Sequence, residues 1–332
     1  MLTTNQSKPC RIPLLLAALA LLSIVSITLS ISIGSVHISL PQLAHALLEK
    51  TDTIQHEIIF NLRIPRTLCA FIIGGSLALA GALMQILLRN PLADPYVLGV
   101  SGGAAVASLI ALMIGVLTNF LYLWAFAGSL LSMLLVIGLA HNRDGFSSLR
   151  LLLTGVVVAT GWGAMISFIL TISPQTNLRS MLFWLMGDLS YAHFSYWQLL
   201  ILLLGLLISF VFAKPLNVLA RGNLTAQSLG VNPRRLSWML YIISSLLTAC
   251  AVSMAGCIGF VGLIVPHMLR LVGNSDHRFI LPGSVLLGGS LLTLADTLAR
   301  SVMAPIQLPV GVVTAIIGVP CFLFLLRGNY KK

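Results

Sequence analysis

Three arginines and one aspartate stand out in a chain with few charges. Arg63 and Arg66 lie three residues apart in "RIPRTLCAFIIGGSLALAG", directly ahead of a long apolar run. At that spacing on a helix the two guanidiniums share a face. Pro65 suits the first turn of a helix, where its missing N–H costs little. Asp296 and Arg300 in "LADTLAR" are four apart, a spacing that lets them pair. A single arginine at the end of a membrane helix reaches for lipid phosphate. Three of them on the outer side of a membrane, against the usual distribution of charge, favour docking of a partner's carboxylates instead.

The case for serine chemistry is weaker. Gly99-Val100-Ser101-Gly102 matches the G-x-S-G of rhomboid intramembrane proteases, and His267 in "VPHMLR" is the histidine available to it. So short a match has a high false-positive rate. The neighbours of His267 are also not the small residues such a site needs, so His267 is read as a satisfied histidine at a helix end. The sequence contains no G-x-x-x-x-G-K-[ST] nucleotide loop and no H-E-x-x-H zinc pair. No catalytic residue, metal site or bound cofactor is therefore assigned to this chain. The span interiors offer Thr154, Thr160, Trp162 and Met165 rather than acids or histidines. An ion-coupled secondary transporter would place ionisable groups there. A pump of this composition must draw its energy from another subunit.

The elements that position these residues follow from composition. The chain has 332 residues, of which 58% are hydrophobic and only 8% charged. A soluble domain carries about 25% charged residues. Apolar runs long enough to span recur from end to end. They lie at roughly 12–33, 67–88, 97–117, 120–140, 149–172, 197–213, 237–256, 258–269, 280–300 and 309–326, about ten spans in one domain over 1–332. The fold expected is an all-α polytopic membrane protein. The first run is a retained helix rather than a cleaved signal.

An even number of spans puts both termini on one side. Lys8, Arg11, Arg327, Lys331 and Lys332 make that side the cytoplasm, and most of the 19 basic residues, Arg143 among them, then fall on it. Lys50, Arg63, Arg66, Arg179 and Arg300 are left outside. The net charge of +11 is spread through short loops, which excludes a nucleic-acid surface. The five cysteines show neither metal nor disulfide spacing. Ala80-Gly81 with Pro91, and Ala255-Gly256 with Pro266, echo each other at an offset of 175. Such an echo suits an inverted repeat.

The largest cytoplasmic loop, about 214–236, reads "KPLNVLARGNLTAQSLGVNPRR" between Lys214 and Arg235. Asn223 is a fair N-cap, Gly230 a fair stop, and Pro233 follows. The pattern predicts a short helix from Leu224 to Leu229 outside the membrane. Leu224 and Leu229 give it apolar contacts for a partner.

Taken together, "RIPRTL", "GGSLALAGALMQ", "NPLADPYVLGVSGGA", "RLLLTGV", "GFVGLIVPHMLR", "DHRFILPG", "LADTLAR" and "LPVGVVTAIIGVPCFLFLL" resemble the permeases of type II ABC importers. That family handles iron–siderophore complexes, haem and cobalamin. The resemblance covers nearly the whole chain. It implies a homodimer of permeases in the inner membrane of a prokaryote, and two cytoplasmic ATP-binding subunits that hold ATP and Mg. It also implies a substrate-binding protein on the outer face, docked on Arg63, Arg66 and Arg300 with Asp296 beside them. By the same resemblance, Leu224, Thr225, Ala226, Gln227, Ser228, Leu229 and Gly230 form the segment that couples to the ATPase. "GFSSLR" would place a cytoplasmic gate at Ser148 and Leu149. The stretch "WLMGDLSYAHF" (184–194) is closer to siderophore permeases, so an iron–siderophore complex is the expected substrate. Haem, cobalamin or an oxyanion are the alternatives within the family.

Overall fold

The computed structural model describes residues 11–34, 54–117, 120–140, 148–190, 192, 194–272 and 275–329. Lys8, Cys10, Lys50, Arg143, Tyr191, His193, Lys331, Lys332 and residues 145–147 of the gate segment lie outside them, as do the side chains of Arg11 and Ser148. Among the described residues the regular structure is helical, with no strand.

Six helices are long and apolar enough to cross a membrane. They are α1 (Arg11–Ser32), α2 (Ile64–Leu87), α4 (Leu121–Ala140), α5 (Ser148–Ile172), α10 (Pro233–Ala255) and α12 (His277–Ser301). A seventh span is bent by 65° where α7 (Tyr196–Val211) passes into α8 (Ala213–Leu219). Three shorter apolar helices, α3 (Val100–Met113), α11 (Val261–Val272) and α13 (Val310–Asn329), bring the apolar segments to the expected ten. Two further helices are not spans: α6 (Gln175–Leu185) and α9 (Asn223–Ser228). The apolar runs foretold neither α6 nor α8. Both are short, and the first half of α6 is mostly polar.

α2 is the centre of the bundle and is buried on nearly every side. Lipid does not drive helices together as water does, so close approach of backbones must supply the contact. The glycines of "GGSLALAG" allow that approach. A Cβ on Gly74 would stand 2.2 Å from the carbonyl oxygen of Gly288 in α12. One on Gly81 would stand 1.9 Å from the carbonyl oxygen of Gly262 in α11. α2 and α12 therefore lie against each other as an antiparallel pair. At 1.5 Å per residue, α2 extends about 36 Å.

The Ala-Gly and Pro echo does not fall on equivalent elements. Gly81 is inside α2, whereas Gly256 closes α10 at φ 70°. Pro91 lies in a turn, whereas Pro266 is inside α11.

The turn ahead of α3 is fixed by one side chain. Asp94 Oδ1 accepts the Tyr96 N–H at 2.8 Å and caps a single 3₁₀ turn, Pro95–Leu98. Burial pushes the Asp94 carboxyl up to about 6, against the opposing pull of that hydrogen bond. The Tyr96 hydroxyl donates to Ile258 O and accepts the Ile258 N–H, both at 3.0 Å, tying this turn to the break between α10 and α11.

Candidate docking surfaces at the two ends of the bundle

The first candidate surface lies where the C-terminus of α1, the N-terminus of α2 and the C-terminus of α12 meet. Asp296 is fully buried there between two arginines. Arg66 Nη2 stands 2.9 Å from Asp296 Oδ1, and Arg66 Nε donates to both carboxylate oxygens at 3.1 and 3.2 Å. Arg300 Nε forms an ion pair with Asp296 Oδ2 at 3.0 Å, the contact its four-residue spacing foretold. Arg66 Nη1 donates to Gln307 Oε1 at 2.8 Å, and Arg300 Nη2 donates to the Ser30 hydroxyl at 2.9 Å. Arg63, Arg66, Arg300 and Gln307 line an open cleft that Leu189, Ser190 and Phe194 also border.

Arg63 borders the same cleft but is held by different partners. It is 5% exposed, and its Nη1 donates to Ile31 O at 2.7 Å and Ser32 O at 3.0 Å. Those carbonyls are at the C-terminus of α1, where a cation is favoured. The chain enters α2 through a π-helical segment, Ile58–Arg63, in which the Ile64 N–H reaches back to Ile59 O. Among the described residues three guanidiniums surround the buried Asp296 carboxylate, with the Asp188 carboxylate one hydrogen bond beyond Ser190 at the cleft wall.

At the opposite end of α2, α8 and α9 form a small helical corner. Within α9, Ala226 is fully buried and anchors the helix, while Leu224 and Leu229 are 82% and 64% exposed. Thr225, Gln227, Ser228 and Gly230 are exposed beside them. Gly230, at φ 74°, ends the helix as its sequence suggested, with the Val231 N–H donating back to Ala226 O at 2.9 Å. Asn223 is not the N-cap. Gly222 holds that position, and the Asn223 side-chain Oδ1 instead accepts a hydrogen bond from Arg89 Nη2. Nothing local to the loop could have shown this, since Arg89 is 134 residues earlier.

α5 is the most open of the long helices. Thr160, Ala164, Ser167 and Thr171 follow one another at helical spacing on its exposed face. Each of the three hydroxyls donates to a carbonyl one turn back within α5. Met165 is exposed as well, and Leu149 is exposed at the helix start beside Ser148. Trp162 does not belong to that face, because its Nε1 donates to Ser132 in α4 at 2.8 Å. Among the described residues no hydrogen bond joins Ser101 to His267, so the protease pair is not assembled. His267 is also not fully satisfied. Its Nε2 is buried without a hydrogen-bond partner among the described residues, and its ring packs edge-on to Phe322. Among the described residues no group of His, Cys, Asp and Glu could hold a metal.

Comparison with known proteins gives these surfaces a context. The model of the FecCD transport family matches residues 21–328. An uncharacterized ABC transporter permease, YvrB of Bacillus subtilis, is 39% identical over 92% of this chain and 91% of its own length. The cobalamin import system permease BtuC of Halobacterium salinarum is 42% identical over 81% of this chain and 73% of its own. The vitamin B12 import system permease BtuC of Escherichia coli O127:H6 is 39% identical over 81% of this chain and 83% of its own. Among solved structures, an inward-facing conformation of an ABC transporter assigned to the metal-chelate type superposes with a TM-score of 0.85. It is 31% identical, over 95% of this chain and 99% of that one.

Proposed function

This chain belongs to the FecCD transport family of ABC importer permeases, and from that premise we propose that it carries a bulky metal chelate, cobalamin first, across the cytoplasmic membrane. The observation that carries the reading is the match over residues 21–328, which spans both candidate surfaces. Cobalamin takes precedence over the iron–siderophore complex because relatives at 39–42% identity are named for cobalamin or vitamin B12. The siderophore reading rests on the stretch 184–194 and comes second.

The positive-inside distribution puts α9 in the cytoplasm and the arginine cluster outside. A loaded binding protein brings carboxylates to the cationic cleft at Arg66 and Arg300, with Arg63 on the same cleft adding to the field. Asp296 holds the two exposed-side guanidiniums at fixed positions. On the other side an ATP-binding subunit receives Leu224 and Leu229, and it supplies the ATP, Mg and hydrolysis that this chain lacks. The hydroxyl-bearing face of α5 meets a second copy across the path, with Ser148 and Leu149 at its cytoplasmic mouth. A path of weak hydroxyl contacts suits a large chelate that must pass without being held.

Co-purification tests this. Tagged wild-type chain should bring down an ATP-binding subunit, and Leu224→Asp with Leu229→Asp should lose it while still eluting as a single species. Wild type that recruits no ATP-binding subunit when the two are co-expressed would refute the reading.

A further inference from the structure

α8 and α9 are covalently continuous with α7 and α10, but the helices that carry the arginine cluster are α2 and α12. Motion of the α8–α9 corner has to reach those two helices through side chains. Apolar contacts from Leu216 and Leu219 can slide, whereas directional hydrogen bonds hold a register.

Two such links are present. Asn217 of α8 uses both ends of its amide on the first turn of α12. Its Nδ2 donates to Asp276 Oδ1 at 2.8 Å, and its Oδ1 accepts the His277 backbone N–H at 2.9 Å, with His277 Nδ1 at 2.5 Å from the same oxygen. Asp276 in turn caps α12 through the Arg278 N–H at 2.9 Å. The second link is Arg89, just past the C-terminus of α2, whose Nη2 donates to Asn223 at the start of α9. Arg89 has φ 49°, a left-handed conformation that residues with a Cβ seldom adopt. A strained residue of this kind persists where its surroundings hold it, and such residues gather at switch points. From these ends α2 runs to Arg66, and α12 runs to Asp296 and Arg300. Between the two ends Gly74 and Gly288 lock the helices together.

We propose that Arg89 and Asn217 are positioning residues through which the α8–α9 corner and the α2–α12 pair move as one, coupling the ATPase surface to the arginine cluster. This rests on α9 being the ATPase contact. Because α2 and α12 are antiparallel and closely packed along their length, a shift at the Arg89 and Asn217 end is delivered to Arg66 and Asp296 about 36 Å away.

The test uses the full transporter, with its ATP-binding subunit and binding protein, in nanodiscs. Arg89→Gly removes the link but accepts φ 49° without strain, so its melting temperature should equal or exceed that of wild type. Basal ATP hydrolysis should be unchanged, and stimulation by loaded binding protein should fall by about tenfold. Arg89→Lys, which keeps a donor, should recover most of that stimulation, and Asn217→Ala should resemble Arg89→Gly. Wild-type stimulation in both Arg89→Gly and Asn217→Ala, with the ATP-binding subunit retained, would overturn the links alone. A wild-type chain that binds no ATP-binding subunit would overturn the permease reading and the links with it.

Discussion

Arg66 and Asp296 are 230 residues apart in sequence and 2.9 Å apart in space, and their ion pair closes the far end of the α2–α12 pair. Asp296 is fully buried and Arg300 approaches it from the other side, so the carboxylate holds two cations in place. Removing one partner of a buried pair leaves uncompensated charge and costs about 3–5 kcal/mol. Asp296→Ala should therefore lower stability by that order. Asp296→Asn, which still accepts hydrogen bonds, should cost less. A thiol-reactive dye can follow unfolding, because Cys69 and Cys250 are buried free thiols.

Arg63 and Arg66 should separate into a structural and a docking residue. Arg66→Glu reverses charge in the open cleft, and binding-protein titration should show a loss of about 2–5 kcal/mol. Arg63→Gln should leave that affinity nearly intact. It should lower thermal stability instead, since the carbonyls of Ile31 and Ser32 lose a charged donor worth about 1.5–3 kcal/mol. Equal losses of affinity in the two variants would contradict the division.

Gly81 allows α2 to touch α11. Gly81→Val would drive a side chain into the Gly262 carbonyl, where even a Cβ would stand at 1.9 Å. Overpacking costs about 1–3 kcal/mol in adaptable cores, and here the obstacle is backbone. Size-exclusion chromatography in mild detergent should show loss of the single species, whereas Gly138→Ala, at a site with open space around it, should behave as wild type.

Asp94 gives a pH prediction. Its carboxyl is raised from 3.8 to about 6, so the stability it contributes is full below 3.8 and is lost as pH rises to about 6. Asp94→Asn keeps the acceptor for the Tyr96 N–H without a titrating charge, and it should flatten that part of the curve. Asp94→Ala should be destabilised at every pH, because the cap itself is gone. Melting temperatures of the three proteins across this pH range decide the matter.

Spans, loop helix and partners of near sequence neighbours were legible from the sequence; what distant segments do to one another was not. Long apolar runs must become helices in lipid, because no other structure satisfies their backbone. Gly230 and the Asp296–Arg300 spacing carried their meaning locally. The partners of Arg63 were not legible, because they are backbone carbonyls of another helix. Asn223 looked like a cap, since it has the right residue type in the right place, but Arg89 competes for its oxygen. Trp162 looked like lining until Ser132 supplied its acceptor. The substrate is less legible still, because a path that binds weakly leaves few residues to specify what passes.

The most direct test is uptake of radiolabelled cobalamin into proteoliposomes that contain this chain, its ATP-binding subunit and its binding protein. Uptake that requires ATP inside the partner's compartment and is abolished by Leu224→Asp with Leu229→Asp is the predicted result. Uptake that proceeds without ATP, or that the double substitution leaves untouched, would contradict the account.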